Sequence, residues 1–407
     1  MSEPLLTQLV RTLARPIGES ERVRARLHLL DWLACVAGAR ESGVAAALGP
    51  MQGKRMIQAA FLGNVLEMDD IHRTALLHPG PVIWPCALIE ASGDMDAVID
   101  AAIAGYEVMI AIGATFDAYH YAHYHPTSTA GIFGAAATFA KGRDFPADKL
   151  QSALAMAGSV TGGLWQMRHE PVTAKQWHIA HALNTGRTAA EYADYGITGP
   201  AAILEGPQGL HSATCRQPKP MHFPDQWRIH EVSFKLWAAC RHAHPAIDCA
   251  LELRAAGKLS PPFRVETYGD AIAFCDRPDP FTETDAKFSL HHAVAVIADG
   301  RSAEPADFTA EAIAALAPLR AQVTVAEAPE ITARYPAHFG ARLNGFELVD
   351  TRGDPERPVG ETEIVAKARA LIAWGGLPAA EADRAVALAL RGNDVAAIVG
   401  MLEDWLS

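Results

Sequence analysis

The sequence predicts a mainly α protein. A helical body, residues 1–231, is followed by a smaller α+β insert, 232–357, and closed by a C-terminal helical piece, 358–407, so that helices come from both chain ends. Three observations predict this. Apolar residues make up 50% of the chain but aromatics only 7%, a balance that suits helices packed through small side chains. Apolar positions recur at helical spacing through the first half of the chain. Beyond about residue 230, short strand-like stretches appear between turns, and helical spacing returns from Glu361.

Taken in order, Leu5, Leu6, Leu9, Val10 and Leu13 mark one face of a first helix that Pro16 ends. Ser20 is expected to cap a second, with Val23, Leu27, Leu30 and Ala34 on its buried side. A Gly-rich break, Gly43–Gly53, leads into Gln58–Met68 and then a polar loop. Trp84–Ala91 and Ala97–Thr115 read as the next two helices. The run AGIFGAAATFAKG needs close helix neighbours because its side chains are so small, so it is expected to be central and buried. Residues 148–166 and Ala174–Tyr195 are further helices, the second stopped by Gly196 to Pro200. In the insert, Arg264–Tyr268, Ile272–Cys275 and Gln322–Ala326 have strand character. Asn344-Gly345 is a two-residue hairpin turn signal. Asp285–Ala298 and Ala310–Ala317 read as helices there, and Ile364–Trp374, Ala380–Leu390 and Val395–Trp405 complete the C-terminal piece.

With 407 residues the chain is long enough for two domains and a large core. A formal charge of -12 argues against nucleic acid or an anionic membrane surface as partner. The six cysteines contain no C-x-x-C pair, so no zinc ribbon or iron–sulfur spacing is present. The N-terminal segment lacks the apolar run of a signal peptide. No stretch free of charge reaches membrane-spanning length, so the expected location is the reducing cytoplasm.

The candidate chemistry lies in polar clusters. Glu67-Met-Asp-Asp-Ile-His-Arg carries acids, and His78 follows at a His-Pro-Gly stop that places it at the end of a loop. Glu67, Asp70, Arg73 and His78 are the candidates there, although a polar loop with a helix cap would also explain the composition. In His120 to Thr129, a metal site of His120, His123 and His125 does not match a standard ligand spacing. The better reading has a hydroxyl of Thr127, Ser128 or Thr129 capping the small-residue helix, its free N–H groups facing a carboxylate, with His125 beside it to move a proton. Lys175 sits at a helix N-terminus, which disfavours a cation unless an anion offsets it. Lys235, Cys240 and His244 form a further cluster. His244 and Asp248 stand one helical turn apart, so the carboxylate could orient the imidazole or the two could be a structural pair. Cys240 reads as a buried thiol rather than a nucleophile. His291 and His292 follow Lys287.

Six landmarks fall in order along the chain: EMDDIHR…HPG (67–80), YHPTSTAGIFGAAA (124–137), TAKQWH (173–178), ITGPAAILEGPQG (197–209), K-x4-C-x3-H (235–244) and DAKFSLHHAVA (285–295). Together they resemble the MmgE/PrpD family, whose members include 2-methylcitrate dehydratase, cis-aconitate decarboxylase and iminodisuccinate epimerase. The resemblance implies a large helical domain, an inserted α+β lid, an active site between the two, and usually a homodimer. It also implies small di- or tricarboxylate substrates and no metal or organic cofactor. It carries Glu67, His78, His125, Lys175 and Lys235 onto family positions. Cys240 stands where the decarboxylases have histidine, His292 where some members have tyrosine, and Ile71 replaces a hydroxyl side chain.

The expected chemistry is proton abstraction alpha to a carboxylate. His78, His125, Lys175, Glu67 and Asp70 would be catalytic, and Thr127, Ser128, Lys235, Cys240, His244, His292 and Arg73 would bind substrate. With a beta leaving group the reaction is a dehydration. Without one, returning the proton to the opposite face makes an epimerase. A non-catalytic carboxylate-binding relative is the third reading.

Overall fold

The computed structural model describes residues 3–49, 51, 54–89, 94–168, 170 and 172–407. The chain divides into two units. The first comprises residues 1–65, 69–232 and 361–407, and the second 66–68 and 233–360.

The first unit is helical. At its centre lies the Pro126–Gly142 helix, whose residues from Pro126 to Ala140 are all buried. Its neighbours are Met95–Gly113, Gly80–Ile89, Ala147–Ser159 and Ala174–Asp194. The approach against Met95–Gly113 is backbone to backbone. A methyl group at Gly134 would sit 2.8 Å from the Met109 Cβ, and one at Gly105 would overlap the Thr138 hydroxyl. Small residues are therefore a geometric requirement of this contact, as the sequence predicts. The two chain ends join through a buried pair, in which Lys367 of the Glu361–Trp374 helix donates to Asp31 of the Glu19–Gly38 helix at 2.5 Å.

The second unit holds a four-stranded sheet of β1 (Phe263–Thr267), β2 (Val323–Glu327), β3 (Ala341–Leu343) and β4 (Phe346–Leu348), in the order β2-β1-β3-β4. β1 and β2 are parallel, Val265 opposite Val325, and are joined by a helical crossover. β3 is antiparallel to both β1 and β4. Asn344 and Gly345 both have positive φ, 49° and 86°, and form the tight turn expected of them.

Several expectations are corrected. Gly18, not Ser20, is the N-cap of the second helix, and the Glu21 carboxylate accepts its N–H at 3.0 Å. Val23 is exposed. Ile272–Cys275 belongs to a helix, Gly269–Cys275, which buries Ala271 and Cys275 one turn apart. The helix expected over Asp285–Ala298 is two, Glu283–Lys287 and Leu290–Ala298, because Ser289 caps the second through the His292 N–H. The helix expected over 148–166 stops at Ser159. The expected helix end at Ala91 and break end at Gly53 lie outside the described residues. Among the described residues no helix is long and apolar enough to cross a membrane.

Candidate active site

In the first unit, the loop segment from Asp69 to Gly80 begins with two adjacent aspartates that turn in different directions. Asp70 Oδ1 accepts the Gly80 N–H at 2.8 Å and so caps the helix that begins there. Its Oδ2 accepts the Tyr106 hydroxyl at 2.6 Å and lies 2.9 Å from His28 Nδ1. Burial raises the Asp70 carboxyl to about 6, against the lowering by Tyr106 and Gly80. Asp70 is thus tied into the core through Gly80, Tyr106 and His28. Asp69 has the other orientation: its Oδ2 lies 2.9 Å from His78 Nδ1, and its Oδ1 accepts the Asn64 amide at 2.8 Å. Sequence reasoning missed Asp69 because nothing in a D-D pair says which member faces the histidine.

His78 is tied to the central helix by its backbone, its N–H donating to Thr127 Oγ1 at 3.1 Å. Thr127 therefore buttresses the loop instead of capping its helix. Pro126 occupies the first turn, His125 is the N-cap without a side-chain cap bond, and the Ser128 and Thr129 N–H groups donate to the His125 carbonyl. The expected cradle of free amides is largely used up internally. The Ser128 hydroxyl makes no hydrogen bond among the described residues.

His125 is buried at 2% exposure and held by a clasp from residues 161–165. Its N–H donates to the Gly163 carbonyl at 2.9 Å, the Trp165 N–H to the His123 carbonyl at 2.9 Å, and Thr161 Oγ1 to the Thr129 carbonyl at 2.7 Å. The clasp lays the Trp165 indole on the His125 ring, centroids 4.2 Å apart and nearly parallel. On another side His178 Nδ1 stands 3.3 Å from His125 Nδ1. Burial, then the charges of His178, Lys175 and His78, push the His125 imidazole well below its ordinary value, so it is neutral. His78 bonds Thr127, two residues from His125, and Lys175 lies three residues before His178 on its helix, so all three stand near the same helix end. Lys175 is the second residue of its helix, at the positive end. Arg73 is buried in the turn that follows His72, and its charge acts on His72, which pairs with Glu231 at 2.9 Å.

The second unit carries its own polar cluster. Glu67 has φ 57°, a left-handed conformation that a glutamate adopts only under constraint, and its carboxylate lies 3.6 Å from the fully buried Lys235 ammonium. Lys287, also buried, has its ammonium pushed down by burial against the pull of Glu67 and Glu283. Its carbonyl accepts the Cys240 N–H at 2.8 Å. The Cys275 thiol is raised first by burial and then by its hydrogen bond to Cys240. Lys287, quoted in a motif but not among the expected site residues, is the second ammonium here.

Two expected residues are spent elsewhere. His292 is enclosed, with Nε2 on the Asp307 carbonyl at 2.8 Å and Nδ1 3.5 Å from Arg320, and burial lowers it to about 4. His244 Nε2 donates to the Ala239 carbonyl. Asp248 accepts from Trp237, Thr351 and Arg352, so the expected His244–Asp248 pairing is not formed. The three histidines considered for a metal also diverge: His120 stacks on Phe116 and His123 bonds the Tyr119 carbonyl. Among the described residues, His338, Asp350 and Glu356 in the second unit bring ligand atoms within 4.8 Å of one another.

A helical unit with two histidines and a lysine gathered near the N-terminus of its central helix is suited to proton transfer on an anion. Residues 56–222 match the MmgE/PrpD N-terminal domain and residues 237–391 the MmgE/PrpD C-terminal domain. The chain belongs to the MmgE/PrpD family. No curated protein matches it. Membership of a family that includes dehydratases supports an enzyme.

Proposed function

We propose that the protein is a cofactor-independent hydro-lyase acting on a small di- or tricarboxylate of the 2-methylcitrate or aconitate type. The observation that carries this reading is the grouping of neutral His125, Asp69-held His78 and Lys175 in one unit. A neutral imidazole takes a proton, a second imidazole gives one to a departing hydroxyl, and the ammonium holds a carboxylate and the charge that develops on it. The Ser128 hydroxyl adds a donor. Cys240, in place of the decarboxylases' histidine, disfavours decarboxylation.

The nearness of two imidazoles also favours a second reading, epimerisation of a dicarboxylate of the iminodisuccinate type, with one ring removing the proton and the other returning it. We further read the protein as a cytoplasmic homodimer; light scattering on the eluting protein checks the assembly.

Proton NMR in D2O with 2-methylcitrate, citrate, the aconitates, malate-like hydroxy acids and iminodisuccinate tests the reaction. A new alkene or hydration signal is expected. Deuterium uptake at an alpha carbon without loss of water would replace the hydro-lyase by the epimerase. Ligand broadening with no turnover would leave a carboxylate-binding relative. His78→Ala and His125→Ala are each expected to lower turnover roughly 10²–10⁴-fold, the usual worth of a general acid or base.

A further inference from the structure

We propose that His178 is a proton relay for His125, the two rings forming one proton-sharing pair that links the buried imidazole to the protein surface. The inference rests on the reading of His125 as a base. The geometry is specific: the two Nδ1 atoms are 3.3 Å apart, so one carries the hydrogen and the other a lone pair. His125 is buried, while His178, at the start of the second turn of the Ala174–Asp194 helix, is partly open to solvent. Trp165 covers one face of the His125 ring, and among the described residues no other side-chain hydrogen bond reaches that ring.

With both rings neutral, His125 carries its hydrogen on Nδ1 and donates it to His178 Nδ1, which leaves Nε2 of His125 with the lone pair. When that Nε2 takes the substrate's alpha proton, the Nδ1 proton passes to His178. His125 is then neutral again, with its hydrogen on Nε2, and His178 is the cation. His178 then gives its Nε2 proton to water. The abstracted charge thus leaves a buried site whose surroundings oppose it. The titratable groups whose charge acts on the pair are Lys175 and His181 on the same helix as His178, His78 on the Asp69 loop, and His120 on the Ala118–His123 helix; each disfavours a resident imidazolium.

The test is a 15N NMR titration of the histidine-labelled full chain, which needs no turnover, alongside His178→Asn and His178→Gln. In the wild type the ring nitrogens of His125 and His178 are expected to titrate as a coupled pair. In the variants the His125 nitrogen shifts are expected to lose the inflection that follows His178. Independent titration of the two rings in the wild type, or unchanged His125 shifts in a folded variant, would overturn the relay. If a variant fails to fold, the wild-type titration alone decides. If the carboxylate panel is silent while coupling is observed, the pair stands and the assigned reaction falls. With an active substrate, His178→Ala is expected to lose kcat with KM little changed and to recover part of it with free imidazole.

Discussion

Asp69 and Asp70 differ by one position in the chain and by the direction of their carboxylates. Asp70 faces Gly80, Tyr106 and His28, whereas Asp69 faces His78 and is steadied by Asn64. The two should therefore fail differently. In Asp69→Asn the acceptor beside His78 Nδ1 is exchanged for an amide that can donate, which no longer fixes the ring's tautomer. Turnover is expected to fall with KM and melting temperature little changed. Asp70→Asn keeps an acceptor for Gly80 but mismatches Tyr106, and is expected to lower stability by about 1–3 kcal/mol, with activity per folded molecule less affected. Denaturant titration and steady-state kinetics on both variants check this. Equal loss of stability in the two would refute the division of labour.

At the scale of elements, the 161–165 clasp depends on one glycine. Gly163 has φ 113°, and a methyl group on it would stand 2.5 Å from Ser128 Oγ. Gly163→Ala is expected to cost about 1–3 kcal/mol in backbone strain and to displace Trp165 from His125. Thermal melting and the proton NMR shifts of the His125 ring, which the stacked Trp165 indole shields, would report the two effects; a melt within experimental scatter of wild type would sink the claim. Nothing marks this clasp in the sequence, where Gly162-Gly163-Leu-Trp reads only as a helix end. The elements that were legible are those whose signal is local. The Asn344-Gly345 turn needs positive φ at two residues, and the Pro126–Gly142 helix needs close neighbours because it is made of small residues. Ile272–Cys275 misled because a four-residue apolar run has no period long enough to separate strand from helix. The candidate site was legible in residue type only: His78, His125 and Lys175 stand out in the sequence as titratable groups at loop and helix ends. Which partner each one meets is a tertiary fact. Asp69, Trp165 and His178 have no periodicity or spacing that announces them, and His292 looks like a site residue until Asp307 and Arg320 are placed around it.

Across the whole molecule, the buried titratable groups set a pH dependence with a definite sign. Seven histidines, His28, His72, His120, His125, His178, His211 and His292, are each lowered, first by burial. In the unfolded chain they take up protons as pH falls through about 6.5, whereas in the folded protein they stay neutral until lower pH, His120 to about 3 and His292 to about 4. The unfolded state then binds more protons, and stability is lost as pH falls below about 6.5. Three acids work in the opposite direction. Asp31 and Asp70, both raised to about 6 by burial, and Glu107, also raised, bind protons in the folded state before the unfolded chain does. Their contribution increases stability as pH falls through about 6, until the unfolded carboxylates protonate near 4. Among the described residues these lowered histidines outnumber the raised acids, so the expected net effect is acid lability. Each net proton taken up on unfolding contributes roughly 1.4 kcal/mol per pH unit. The melting temperature is therefore expected to drop steeply between pH 6.5 and 4.5 and to be nearly flat from 7 to 8. Calorimetry across that range decides it. A melting temperature that holds or rises down to pH 5 would mean that the acids' protons, not the buried imidazoles, control the stability of this fold.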